Sequence, residues 1–155
     1  MPVELTPRGS RGQATPGGPL KGLILGLSRL AHRLGLTKRM DGFPVILLTT
    51  RGARSGQLRS APVMAFPEGP DSWLVVASAA GAASHPAWAV NMAKNPNDVW
   101  IEVDGRRVKV TPTSLAGHDR EEAWASIVER SRRFGGYQEK TDREIPVVRL
   151  RAAPE

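Results

Sequence analysis

Apolar positions divide this chain into two regimes. Leu20, Leu23, Ile24, Leu27, Leu30, Ala31 and Leu34 recur at helical spacing, with Lys21, Ser28, Arg29, His32 and Arg33 on the other side. The spacing predicts an amphipathic helix over Leu20–Leu36. From Pro44 onward short apolar runs alternate with turn-formers. Pro44–Thr50, Leu58–Phe66 and Ser72–Ser78 read as strands, the last two divided by Glu68-Gly69-Pro70-Asp71. Asp98–Val103 and Arg106–Val110 flank Asp104-Gly105, a strong hairpin signal. There Val99, Ile101, Val103, Val108 and Val110 alternate with Trp100, Glu102, Arg107 and Lys109, so one face is buried. Ile145–Leu150 is the last predicted strand. Helices are predicted over Pro86–Lys94, stopped by Asn95-Pro96, and about Asp119–Arg132, stopped by Gly135-Gly136. Six short hairpin-joined strands with few helices predict a mainly β protein, a small closed antiparallel barrel with flanking helices.

The predicted organisation is a disordered Pro/Gly-rich arm over 1–19, the helical segment over 20–40 and a barrel domain over 41–151. A chain of 155 residues is one domain's length, enough to bury roughly 68–70% of its unfolded surface. No cysteine is present, which excludes disulfides and thiolate metal sites. His32, His85 and His118 lack ligand spacing, so no zinc or iron site is expected. Ser72–Ala93 is uncharged over 22 residues, but its serines, His85, Pro86 and Asn91 make it too polar to span a bilayer. The polar start lacks a secretory pattern. A cytoplasmic protein is therefore expected, with residues 20–39 as a segment suited either to capping the core or to an anionic membrane at the inner face.

Charge is unevenly distributed. Residues 1–60 hold ten Lys/Arg against two acids, and residues 61–155 hold twelve against thirteen. The basic excess implies an anionic partner. Nucleic acid is excluded for want of any recognition motif or stacking platform. The densest basic element is the loop Arg51-Gly52-Ala53-Arg54-Ser55-Gly56-Gln57-Leu58-Arg59, and no acid lies between Asp41 and Glu68. Glycine-freed N–H groups, a hydroxyl and fixed positive charge suit a phosphate-bearing ligand. A solvated hairpin tip is the alternative, and the residues alone leave both open.

Three ordered blocks carry a family resemblance: the Arg loop, the run Val75-Val76-Ala77-Ser78-Ala79-Ala80-Gly81-Ala82-Ala83-Ser84-His85-Pro86-Ala87-Trp88 continuing to Pro96, and the tail Tyr137-Gln138-Glu139-Lys140-Thr141-Asp142-Arg143-Glu144-Ile145-Pro146. Over about Phe43 to Leu150 the chain resembles the deazaflavin-dependent nitroreductase and F420H2-dependent quinone reductase family of actinobacteria. The resemblance implies a split β-barrel that binds coenzyme F420 and passes a hydride to a quinone, nitro or activated unsaturated small molecule. It implies that Arg54, Ser55, Gly56 and Arg59 hold the coenzyme phosphate and that Ala77, Ser78 and Ala79 lie along its ring. Trp88 and Asn91 would wall the pocket, and Tyr137 would donate a proton or orient the substrate. A packed, non-catalytic tyrosine is the alternative there, as a core aromatic is for Trp88. His85 is expected to cap the following helix. Ala53, Ala79, Ser84 and Ala89 depart from residues common in the family, which thins the charge and opens the substrate side. FMN in place of F420, or a non-catalytic F420 carrier, are the competing readings.

Overall fold

A computed structural model of the chain describes residues 3–12, 27, 39–40 and 42–154. Its strands are β1 (Arg39–Met40), β2 (Phe43–Arg51), β3 (Leu58–Pro67), β4 (Ser72–Val76), β5 (Val99–Val103), β6 (Arg106–Ser114) and β7 (Val147–Ala152). Every pairing is antiparallel, in the order β1-β2-β3-β4-β7-β6-β5, and β2 also pairs β5. Six strands, β2 to β7, thus close into a barrel, as the hairpin pattern predicts. The α-helices whose bounds lie within the described residues are α1 (Ala87–Lys94), α2 (Gly117–Arg130) and α3 (Arg133–Lys140), which flank the barrel.

Alternation sorts side chains between two cores. Ile46, Leu48, Ala65, Val75, Val99, Ile101, Val110 and Val148 point into the barrel, where Met92 of α1 joins them. Met64, Phe66, Leu74, Val76 and Val147 point outward and are covered by Ile127 of α2 and Phe134 of α3. The Asp104-Gly105 turn takes positive φ at both residues (51° and 76°), the geometry a two-residue hairpin requires.

The sequence expectations shift at three places. The second predicted helix stops at Arg130 because Ser131 is extended (φ −141°, ψ 95°), and Gly135-Gly136 lie inside α3 rather than ending a helix. A Cβ at Gly135 would sit 3.1 Å from Val128, so the glycine lets α3 approach α2 closely, while Phe134 and Tyr137 pack on the outer core. β4 ends at Val76, two residues early, because the chain turns left-handed at Ala79 and Ala80 (φ 46° and 54°). Finally, residues 3–12, within the arm expected to be disordered, lie against the barrel. Val3 is buried in the inner core, and the Glu4 N–H donates to Ser114 Oγ at 2.9 Å. Here polar partners on other segments anchor a stretch whose own composition gives little reason to fold. The predicted helix Leu20–Leu36 lies outside the described residues except for Leu27, which is helical and exposed.

Candidate functional site

Register places the candidate residues at one end of the barrel. Arg51 pairs with Leu58, so residues 52–57 form the tip between β2 and β3. Antiparallel to β3 (Ala65 opposite Val75), β4 runs back toward the barrel end from which β3 starts, and Ala77 and Ser78 follow it. α1 then returns to the tip.

The tip is braced from below. Arg51 pairs with Asp98 (Nε–Oδ2 2.9 Å) and donates from Nη1 to Gly56 O at 2.7 Å. Asn91, 8% exposed, accepts from Ala53 N–H at 2.9 Å and donates to Thr50 Oγ1 at 3.2 Å. Asn95 Nδ2 donates to Arg51 O. Across the tip, Gly52 N–H donates to Gln57 O at 2.7 Å and Gly56 N–H to Gly52 O at 3.0 Å. Ser55 Oγ accepts from Gln57 N–H. Arg54, Ser55, Gly56 and Arg59 are exposed. Among the described residues, neither Arg54 nor Arg59 forms an ion pair or a side-chain hydrogen bond. The tip thus offers two unpaired guanidinium groups on a backbone fixed by others, an arrangement suited to gripping an anion. Arg51 is not a third such group, since its charge is committed to Asp98.

The strand end is held by a residue the sequence reading did not single out. Arg143 is 1% exposed. Its Nη1 donates to Ala77 O (3.0 Å), its Nη2 to Ser78 O (2.9 Å) and its Nε to Ala82 O (3.1 Å). Burial lowers its pKa, yet arginine remains charged in proteins, and carbonyl oxygens in place of a carboxylate satisfy it. The peptide bonds of the described residues are trans, so with the Ala77 and Ser78 carbonyls aimed at Arg143, the Ser78 and Ala79 N–H groups point the opposite way. Ser78 is right-handed (φ −77°, ψ −37°) and Ala79 left-handed, an alternation that turns successive N–H groups toward one concavity and favours electron-rich atoms.

His85 does not cap α1. Pro86 occupies the N-cap, and the imidazole bridges Arg143 Nη1 (2.8 Å to Nδ1) and Thr6 O (2.5 Å to Nε2). Because guanidinium can only donate, Nδ1 accepts and the proton sits on Nε2. Burial, opposed by the Thr6 bond and reinforced by Arg143, lowers the His85 pKa. Trp88 packs half-buried against the inner core. Tyr137 packs against the outer core, edge-on to Phe134 at 5.6 Å, and among the described residues its hydroxyl has no hydrogen-bond partner. The α3 backbone meets the strand-end turn at Gly81, where a Cβ would lie 2.6 Å from Tyr137 O. The structure therefore gathers the Arg loop, the Ala77–Ala79 strand end and α1 at one barrel end, with Tyr137 reaching them through α3. A cavity of about 500 Å³ lies elsewhere, at the far end of β3, between Phe66, Leu74, Ile127 and the charged Glu68, Glu122 and Arg149. No cluster that could hold a metal ion occurs among the described residues.

Known proteins resemble this chain in sequence and fold. Residues 29–151 match the family described as F420H(2)-dependent quinone reductase. An F420H(2)-dependent quinone reductase of Mycobacterium tuberculosis is 38% identical over 125 residues, 79% of each chain. A solved F420-H2 dependent reductase, FDR-A, superposes with a TM-score of 0.61 at 37% identity, covering 69% of this chain and 93% of its own. A second solved chain, described as a domain-swapped dimer, gives a TM-score of 0.62 at 32% identity, covering 86% and 99%.

The neutral state of His85 yields a pH test. With the folded pKa below its ordinary value of 6.5, the unfolded chain takes up a proton first, and stability is lost as pH falls below about 6.5. The melting temperature should drop more between pH 7.5 and 5.5, on the order of two pH units, in the native chain than in His85→Gln. Equal drops would contradict this protonation state.

Proposed function

The chain belongs to the F420H(2)-dependent quinone reductase family, and from that premise we propose that it passes a hydride from reduced F420 to a quinone, nitro or activated unsaturated small molecule, with the anionic coenzyme seated at the Arg loop. It is an oxidoreductase of the F420H2-dependent type. The FMN alternative finds no support among these relatives. The observation that carries the reading is the braced tip that leaves Arg54 and Arg59 unpaired.

That tip fits a phosphodiester. Arg54 and Arg59 would hold it by charge-assisted bonds, with Ser55 and the Gly56 backbone alongside. The outward Ser78 and Ala79 N–H groups, with Ala77 behind them, would take the electron-rich edge of a flat ring. When bound, the deazaflavin supplies the hydride, leaving the protein to bind, orient and exclude water. Trp88 would wall the pocket, while Asn91 contributes from behind by fixing Ala53. The Tyr137 hydroxyl, without a partner among the described residues, would deliver a proton to the acceptor or hold it in place. Residues 41–151 form the coenzyme-binding unit in this scheme. Among the described residues no helix is long and apolar enough to cross a membrane; contact of residues 20–39 with an anionic surface is proposed from their basic amphipathic pattern.

Fluorescence titration with F420 tests the assignment. Arg54→Ala and Arg59→Ala should each weaken binding by about 1.5–3 kcal/mol, and unchanged affinity in both would remove the phosphate site. Tyr137→Phe should keep F420 affinity while slowing turnover with menadione by about tenfold or more; full activity would make the tyrosine a packing residue only. The full chain should sediment with anionic vesicles and not with zwitterionic ones. Equal partition would end the membrane proposal.

A further inference from the structure

The turn after β4 combines features that local sequence does not favour. Ala79, Ala80 and Gly81 are consecutively left-handed (φ 46°, 54° and 84°), a conformation that the alanine Cβ disfavours. Such a conformation persists only where the surroundings determine it. α3 supplies one side, through the Tyr137 backbone against Gly81. The other side is the N-terminal arm.

The arm meets the turn backbone to backbone. A Cβ at Gly12 would fall 2.6 Å from both Ala82 C and Gly81 O, and nearer still to Ala83 N. Gly9 N–H donates to Ala83 O at 2.9 Å. Thr6 O accepts a hydrogen bond from His85 Nε2–H, and His85 Nδ1 in turn accepts from Arg143. The arm is also fastened to the segment that carries Arg143. Asp142 accepts from Ser10 N–H (2.7 Å), Arg11 N–H (3.1 Å) and the Ser10 hydroxyl, bonds that hold its carboxyl down at a pKa of about 2. Thr141 Oγ1 donates to Arg11 O at 2.7 Å, and Arg11 Nη1 to Glu139 O at 2.9 Å.

We propose that residues 3–12 are a strap that, through Gly9, Gly12, His85 and Arg143, holds the Ala77–Ala83 turn in its left-handed form and so sets the affinity of the coenzyme site. Arg143 is the positioning residue of this device: it touches no ligand but fixes which way the Ser78 and Ala79 N–H groups face. The link to affinity rests on the F420 reading above; the mechanical link between strap and turn does not. Coupling is reciprocal, so a ligand that needs the ordered turn must also tighten the strap.

Amide hydrogen exchange on the full chain tests this without any ligand. Gly12→Ala would force the strap off the turn, and Ser10→Ala is a milder release should Gly12→Ala fold poorly. The Gly81 and Ala82 amides, bonded to Ser78 O and Ala79 O, should then exchange about fivefold faster or more. The remote β5–β6 ladder should be unaffected. In parallel, the F420 dissociation constant should rise by about fivefold or more, and saturating F420 should slow exchange at Gly9 and Ser10 in the native chain. Unchanged turn exchange in variants whose arm amides exchange freely would overturn the proposal, as would a loosened turn with unaltered F420 affinity. A loosened turn in a chain whose native form ignores F420 would support the strap and discard the coenzyme reading.

Discussion

A guanidinium group buried without a carboxylate partner organises the turn that follows β4. Removing such a charge from water is tolerable only if hydrogen bonds replace its hydration. Arg143 meets that condition with three backbone carbonyls and one imidazole nitrogen. Those carbonyls belong to a turn that alanine does not adopt readily. The cation and the turn therefore require each other: without Arg143 the buried Ala77 and Ala82 carbonyls lose this donor and Ser78 O keeps only the Gly81 N–H, and without the turn the charge is stranded. Lysine could not substitute, because one ammonium cannot reach all of these separated acceptors.

In the proposed scheme, binding and aiming are divided between two elements. The Arg loop provides charge on an exposed tip, and its stiffness comes from Arg51, Asn91 and Asn95 rather than from the exposed residues. Ser78 and Ala79 provide direction through backbone groups whose orientation is fixed from beneath. Exposed guanidinium groups give a strong but poorly directed attraction, whereas fixed N–H groups are weak but directional. A long anion bearing a flat ring needs both.

Much of the barrel was legible in the sequence because alternation and turn chemistry are local properties. The Asp104-Gly105 hairpin and the valines around it announce their own geometry, and the Arg loop stands out by charge. What stayed hidden depends on partners distant in the chain. Arg143 sits among Lys140, Asp142 and Glu144, a run that reads as a solvated surface. Ala79 and Ala80 carry no mark of left-handed backbone, and Gly135-Gly136 signal a helix end although aromatic packing draws them into α3. Residues 3–12 look unstructured because their anchors, Asp142, Thr141 and His85, lie about 80 or more positions away. Asn91 was expected to wall the pocket, whereas its amide bonds the loop backbone at Ala53 and the Thr50 hydroxyl.

The decisive measurement is a crystal structure with F420 bound. The account predicts the phosphodiester between Arg54 and Arg59 and the ring edge on the Ser78 and Ala79 N–H groups, with Arg143 still under the turn. A phosphodiester seated elsewhere, with both arginine side chains free in solvent, would contradict it.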